Sequence, residues 1–144
     1  MKIISISTKT QIDESPDFSY MGEYTNTESE TTIDRGNVSG NQYKYFEPCN
    51  PEYGEQDYER MEGFNNSQWS FIGISKIAEV EIGGVIQEIS SGALWGVETD
   101  GNKEYLDDII FDQFFELSAI LQEMGFSVGD IKRAEHKDEE YSLI

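Results

Sequence analysis

The chain has 144 residues and carries 29 Asp and Glu against 10 Lys and Arg, a formal net charge of −19. Such like charges repel in a compact state, so salt tolerance, bound cations, solubility or a positively charged partner is expected to offset the cost. The length fits one domain over 1–144. Disordered acidic segments are poor in aromatic residues, so an aromatic content of 12% indicates that the chain as a whole is folded.

Residue types also exclude several kinds of site. Cys49 and His136 are the single cysteine and histidine, which excludes an internal disulfide, a Cys–His zinc site and a Ser-His-Asp triad. We find no Walker loop, no G-x-S-x-G and no basic patch that would bind nucleic acid directly. No apolar run approaches the roughly 20 residues of a membrane span, and the N-terminus does not read as a signal peptide. We therefore expect an intracellular protein without a cofactor or metal.

The first half of the chain predicts short elements around a long polar segment. Residues 2–12 are rich in Ile, Ser and Thr and predict a strand. Residues 13–42 are polar and acidic and predict a long loop, which is unusual in a compact domain. A short strand is predicted at 43–47, and a short helix at 55–63 with Gly63 as its stop.

The clearest strand is predicted at 69–82, where one face is mostly apolar and the other becomes acidic near the end. That alternation indicates a strand with one side in water. Gly83-Gly84 predicts a tight hairpin turn, after which 85–91 returns as the partner strand. Residues 94–98 extend the sheet as a further strand or a bulged continuation.

The strongest helix is predicted at 103–124, with apolar residues at three- and four-residue intervals. These are Leu106, Ile110, Phe114, Leu117, Leu121 and Met124, and the arc is widened by Ile109, Phe111, Phe115 and Ile120. A short helix near 128–136 and an acidic tail at 137–144 follow. The order predicts an α+β fold, an antiparallel sheet with one long amphipathic helix packed on a face.

An acidic stripe on this helix is the main candidate site. Four acids recur every four residues, about 6 Å along the axis per step, which is comparable to the spacing of phosphates along a nucleic-acid strand. They are Glu104, Asp108, Asp112 and Glu116, with Asp107 and Glu123 nearby. Any amphipathic surface helix has a polar face, which here could simply be acidic. The stripe nevertheless lacks the Lys or Arg residues at i+4 that would normally neutralise it. A second acidic patch is predicted at Glu55, Asp57, Glu59 and Glu62.

Three alternatives remain open. Residues 100–104 resemble the start of a calcium loop, although Tyr105 stands where such a loop requires Gly. Paired acids suit hydrolytic chemistry, but 29 candidates do not single out a pair. Gly92 and Gly96 bracket Trp95, which is either a packed ring at a sheet bend or an exposed contact for a partner.

The same segment resembles a set of small phage and mobile-element proteins of Firmicutes that share the pattern Q-x-I-x-S-G-G-L-W-G-I-E-S-D. The matching residues are Gln87, Ile89, Ser91, Gly92, Leu94, Trp95, Gly96, Glu98 and Asp100. Ala93, Val97 and Thr99 depart mildly from the pattern. The resemblance extends over 14–24, 43–48, 56–74 and the closing Leu121, Gly125 and Phe126. It implies a mobile-element origin and carries no catalytic residues across.

A phage origin together with the acidic charge favours counter-defence. We expect a non-enzymatic inhibitor in the bacterial cytoplasm, similar by charge to anti-CRISPR and anti-restriction proteins that mimic DNA. We expect it to bind a basic nucleic-acid-binding protein of the host, as a monomer or as a homodimer. The alternative is a structural or regulatory phage protein that binds a protein through Trp95, with acidity serving solubility.

Overall fold

The computed structural model describes residues 1–40 and 42–135, so His136 and the predicted tail 137–144 lie outside the described residues. The chain forms two compact units. The first unit is Met1–Glu14 with Ser70–Ile144, and the second unit is Ser15–Trp69. The single domain over 1–144 stays a prediction.

The α+β class is confirmed, with antiparallel sheets and one long helix packed on a sheet. The strands are β1 (Lys2–Ile12), β2 (Gly22–Thr25), β3 (Ile33–Asp34), β4 (Tyr45–Pro48), β5 (Phe71–Ile82), β6 (Val85–Ser90) and β7 (Leu94–Glu98). The helices are α1 (Gly54–Asn65), α2 (Lys103–Glu123) and α3 (Val128–Glu135). The hairpin between β5 and β6 turns at Gly83 and Gly84, both with positive φ, as a two-residue turn of this kind requires.

In the first unit, β5 is the central strand. It pairs antiparallel with β1 on one edge and with both β6 and β7 on the other. Helix α2 covers one face, where Leu117 and Leu121 pack on Ala78 and Val80. Leu106 and Ile109 continue that core with Ile72, Ile74 and Val97.

The prediction that β5 has one side in water is wrong for most of its length. Residues 71–78 are all buried, Lys76 included, and exposure begins at Glu79. Ile72 and Ile74, on either side of Gly73, face α2. Because side chains alternate along a strand, position 73 faces the opposite side of the sheet. A β-carbon at position 73 would lie 2.5 Å from Cε3 of Trp95. The ring of Trp95 therefore covers this second face at Gly73.

In the second unit, β4 is the central strand of a three-stranded sheet, with β2 and β3 on its two sides. Its core contains buried Met21, Phe46, Met61 and Trp69. The segment 13–42, predicted as a long loop, thus contributes two of the three strands.

Helix α1 runs past the stop predicted for it at Gly63 and ends at Asn65. Gly63 is buried inside the helix, where a β-carbon would lie 3.1 Å from Nε1 of Trp69. The same Nε1 donates a hydrogen bond of 2.8 Å to the carbonyl of Arg60. The lack of a side chain at Gly63 therefore lets the indole of Trp69 pack directly on the helix backbone.

Candidate functional site

The outward direction of α2 is set by the residues that it buries. The helix begins where the side chain of Asn102 accepts a hydrogen bond of 2.8 Å from the amide of Tyr105. Its buried residues are Leu106, Ile109, Gln113, Leu117 and Leu121. Because these share one side of the helix, the opposite side lies in water.

All four members of the acidic stripe lie on that exposed side. Glu104, Asp108, Asp112 and Glu116 are exposed. Within residues 1–40 and 42–135, none of the four forms an ion pair. Their charges are therefore available to a cationic partner.

The two neighbouring acids differ from each other. Glu123 is exposed near the end of α2. Asp107 is half-buried and accepts from Nζ of Lys103, one turn earlier, over 2.5 Å. Lys103 therefore partly offsets the charge of Asp107 within the helix.

Two aromatic rings share the exposed side with the stripe. Phe111 and Phe115 are 64% and 69% exposed, so the apolar arc that they were predicted to widen is not buried at these two positions. Each lies two residues from buried Gln113, about 200° around the helix axis at 100° per residue. Asp108 and Asp112 precede the two rings by three residues and are their neighbours on the helix surface. We call this set of six residues the α2 outer face: Glu104, Asp108, Phe111, Asp112, Phe115 and Glu116.

Gln113 occupies the core position that periodicity assigns to an apolar residue. The hydroxyl of Ser91 lies 2.8 Å from its Oε1 and accepts a hydrogen bond of 3.0 Å from the amide of Lys76. The amide of Ser91 donates to the carbonyl of Lys76 over 3.0 Å. The contact joins the middle of α2 to β5 and adds a polar link to the apolar packing of this side of the helix. Sequence reasoning missed it, although a polar residue seven positions after Leu106 was the available signal.

The second acidic patch separates into exposed and engaged residues. Glu55 and Glu59 are exposed on α1, and Asp57 is half-buried. Glu62 instead accepts from Nε of Arg35 over 2.8 Å, and the Arg35 side chain is only 8% exposed. Glu62 therefore stabilises the second unit and does not add a free negative charge to its surface.

Arg35 and Glu62 belong to a polar cluster that lines a cavity of about 460 Å³. Nη1 of Arg35 donates to the carbonyl of Tyr43 over 2.7 Å, and its Cζ lies 4.1 Å from the ring centroid of Tyr24. Asn65 donates to the hydroxyl of Tyr24 over 2.7 Å. Burial, and then the charge of Glu62, raise the pKa of Tyr24 to about 12.

Trp95 has one covered side and one open side. Its ring lies against Gly73, yet 49% of the residue is exposed. Leu94 beside it is also exposed. The ring thus packs at the sheet and is also half exposed, and the contact of Trp95 with a partner stays a prediction.

No group of three or more His, Cys, Asp or Glu side chains suited to a metal ion occurs in the described part of the chain. In the segment 100–104 that resembled a calcium loop, the side-chain oxygen of Asn102 caps α2. Among the described residues, no helix is long and apolar enough to cross a bilayer. Comparison of the chain with protein-family models, curated proteins and solved structures gives no match.

Proposed function

We propose that the protein is a non-enzymatic inhibitor of a bacterial defence nuclease, either a CRISPR effector or a restriction enzyme. It acts as an acidic nucleic-acid mimic that occupies a basic DNA- or RNA-binding surface. The observation that carries this proposal is the stripe of four exposed acids on α2 that form no ion pair with described residues. Steps of about 6 Å between them suit side chains that otherwise bind phosphates.

Energetics support a partner that supplies the missing cations. Like charges at i, i+4 destabilise a helix by a few tenths of a kcal/mol per pair, on the order of 0.2–0.5. Three such pairs follow one another along the stripe from Glu104 to Glu116. A basic surface removes this repulsion on binding, and a net charge of −19 steers the two molecules together.

The test is displacement of labelled DNA or guide RNA from a purified effector. A stripe variant combines Glu104→Gln, Asp108→Asn, Asp112→Asn and Glu116→Gln. A control variant neutralises four exposed acids elsewhere, Glu14, Glu28, Glu30 and Glu52, to Gln. Both variants raise the net charge by four, from −19 to −15, so they differ only in where charge is lost.

We expect the stripe variant to displace nucleic acid at least about tenfold less effectively, a change of 1.4 kcal/mol. The control variant should lose much less, and wild-type affinity should fall with rising salt. Equal losses in the two variants, or affinity that does not change with salt, would contradict the mechanism.

A second candidate function is that of a structural or regulatory phage protein that binds a protein through Trp95. The half-exposed ring of Trp95 beside exposed Leu94 favours it. In that case Trp95→Ala abolishes partner binding, whereas the stripe variant leaves it intact.

A further inference from the structure

The exposed rings of Phe111 and Phe115 lie one turn apart, about 6 Å along α2. Single exposed apolar residues are ordinary. These two rings are neighbours on a helix whose other side already packs on the core. Among the described residues, neither ring belongs to the core, so both are free to contact a partner.

The charges around the rings identify the occupant. Asp108, Asp112 and Glu116 flank them without an ion pair among the described residues. A second copy of the chain placed on this face brings carboxylates against carboxylates, which is unfavourable. A fitting surface therefore carries cations and also offers a place for two aromatic rings.

Grooves for duplex and single-stranded nucleic acids differ in this respect. Surfaces that bind a duplex through its backbone contact phosphates and sugars, while the bases stay stacked inside. Grooves for single strands combine basic side chains along the backbone with aromatic side chains on which the bases stack. The α2 outer face presents the counterparts of both, carboxylates for phosphates and rings for bases.

Building on the proposed function, we propose that α2 occupies a groove made for a single-stranded nucleic acid, lined by basic and aromatic side chains. In that groove Phe111 and Phe115 take the places of unstacked bases, and the acidic stripe takes the place of the phosphates. The duplex-binding surface of a nuclease is not the site.

The experiment measures binding of three labelled peptides of equal length and equal charge. One alternates Lys with Trp, one Lys with Leu, and one Lys with Ala. We expect the wild-type protein to bind the Lys–Trp peptide about tenfold more tightly than the Lys–Ala peptide, because stacking on an aromatic side chain supplies that much. The variant with Phe111→Ala and Phe115→Ala should bind both peptides alike.

Controls separate this proposal from the proposed function. Ile86→Ala removes a similarly exposed side chain from β6 and should retain the preference for Lys–Trp. The stripe variant should weaken binding of all three peptides equally. If it does so while the preference survives loss of both rings, the acidic mechanism stands and the single-strand groove is overturned. If it weakens none of them, the proposed function fails.

Two further outcomes overturn the proposal. If the protein binds the Lys–Leu peptide as tightly as the Lys–Trp peptide, the α2 outer face fits an ordinary apolar cleft of a partner and not a groove for bases. If the wild-type protein sediments as a dimer and the variant with both Phe substitutions sediments as a monomer, a second copy of the chain covers this face. Both Phe substitutions place alanine, the best helix former, at exposed positions, so the variant is expected to fold.

Discussion

The hydroxyl oxygen of Ser91 lies 2.8 Å from Oε1 of Gln113, and both residues are buried. This contact joins the residue that follows β6 to the middle of α2. Since Gln113 must face the sheet to make it, Phe111 and Phe115 must face away. The contact thus agrees with the rotation that the buried apolar residues of α2 give to the helix that carries the candidate site.

Removing the Ser91 hydroxyl should destabilise the first unit. Ser91→Ala removes the hydroxyl that accepts from the amide of Lys76 and lies against Oε1 of buried Gln113. An unsatisfied buried polar group costs about 1–3 kcal/mol, so the free energy of unfolding in urea should fall by at least that much. Ser90→Ala, at the exposed neighbouring residue, should cost clearly less, and equal losses would refute the assigned role.

Gly73→Ala should destabilise the sheet because its β-carbon would collide with the ring of Trp95. Overpacking of this kind typically costs about 1–3 kcal/mol. Combining it with Trp95→Ala removes the collision, so the double variant should be more stable than the sum of the two single losses predicts. Thermal unfolding followed by circular dichroism measures all three variants. Strict additivity would show that the ring does not cover position 73.

Glu62→Gln and Glu59→Gln should separate structural from surface acids on α1. Glu62 binds the almost fully buried Arg35, and loss of a partner to a buried charge is strongly destabilising. We expect a loss above about 1 kcal/mol for Glu62→Gln and almost none for exposed Glu59→Gln, whose surface charge contributes little. Urea unfolding of the two variants measures the difference. Equal stability would remove the structural role given to Glu62.

Stability should fall above pH 10 through Tyr24. Its pKa is raised from 10.0 to about 12 in the folded chain, so the unfolded chain loses this proton first as pH rises. The contribution of Tyr24 is therefore fully present below pH 10 and is lost as pH rises towards 12. Tyr24→Phe should reduce the slope of unfolding free energy against pH in this range. Tyr53→Phe, at an exposed tyrosine, should keep the wild-type slope.

Features with local causes were predictable from the sequence. The β5–β6 hairpin depends on two adjacent glycines, and α2 depends on the spacing of its own apolar residues. The exposure of the acidic stripe follows from the same spacing, because positions opposite a buried arc must face water.

Features with distant causes were not predictable. The strands β2 and β3 have four and two residues, too few for a sequence signal, and they depend on pairing with β4. Gly73, on the second face of β5, is covered by Trp95 from another strand. Glu62 is engaged by Arg35, 27 residues away. Phe111 and Phe115 were assigned to the apolar arc by residue type, although the spacing of the buried residues of α2 places them on the opposite side.

Each compact unit contains one of the two tryptophans, Trp69 in the second and Trp95 in the first. Trp69 is buried and Trp95 is half in water, so their fluorescence emission should differ in wavelength. Replacing either by Phe leaves an intrinsic optical reporter for a single unit. The two resulting melting curves coincide if the units unfold as one cooperative body and diverge if each unfolds independently.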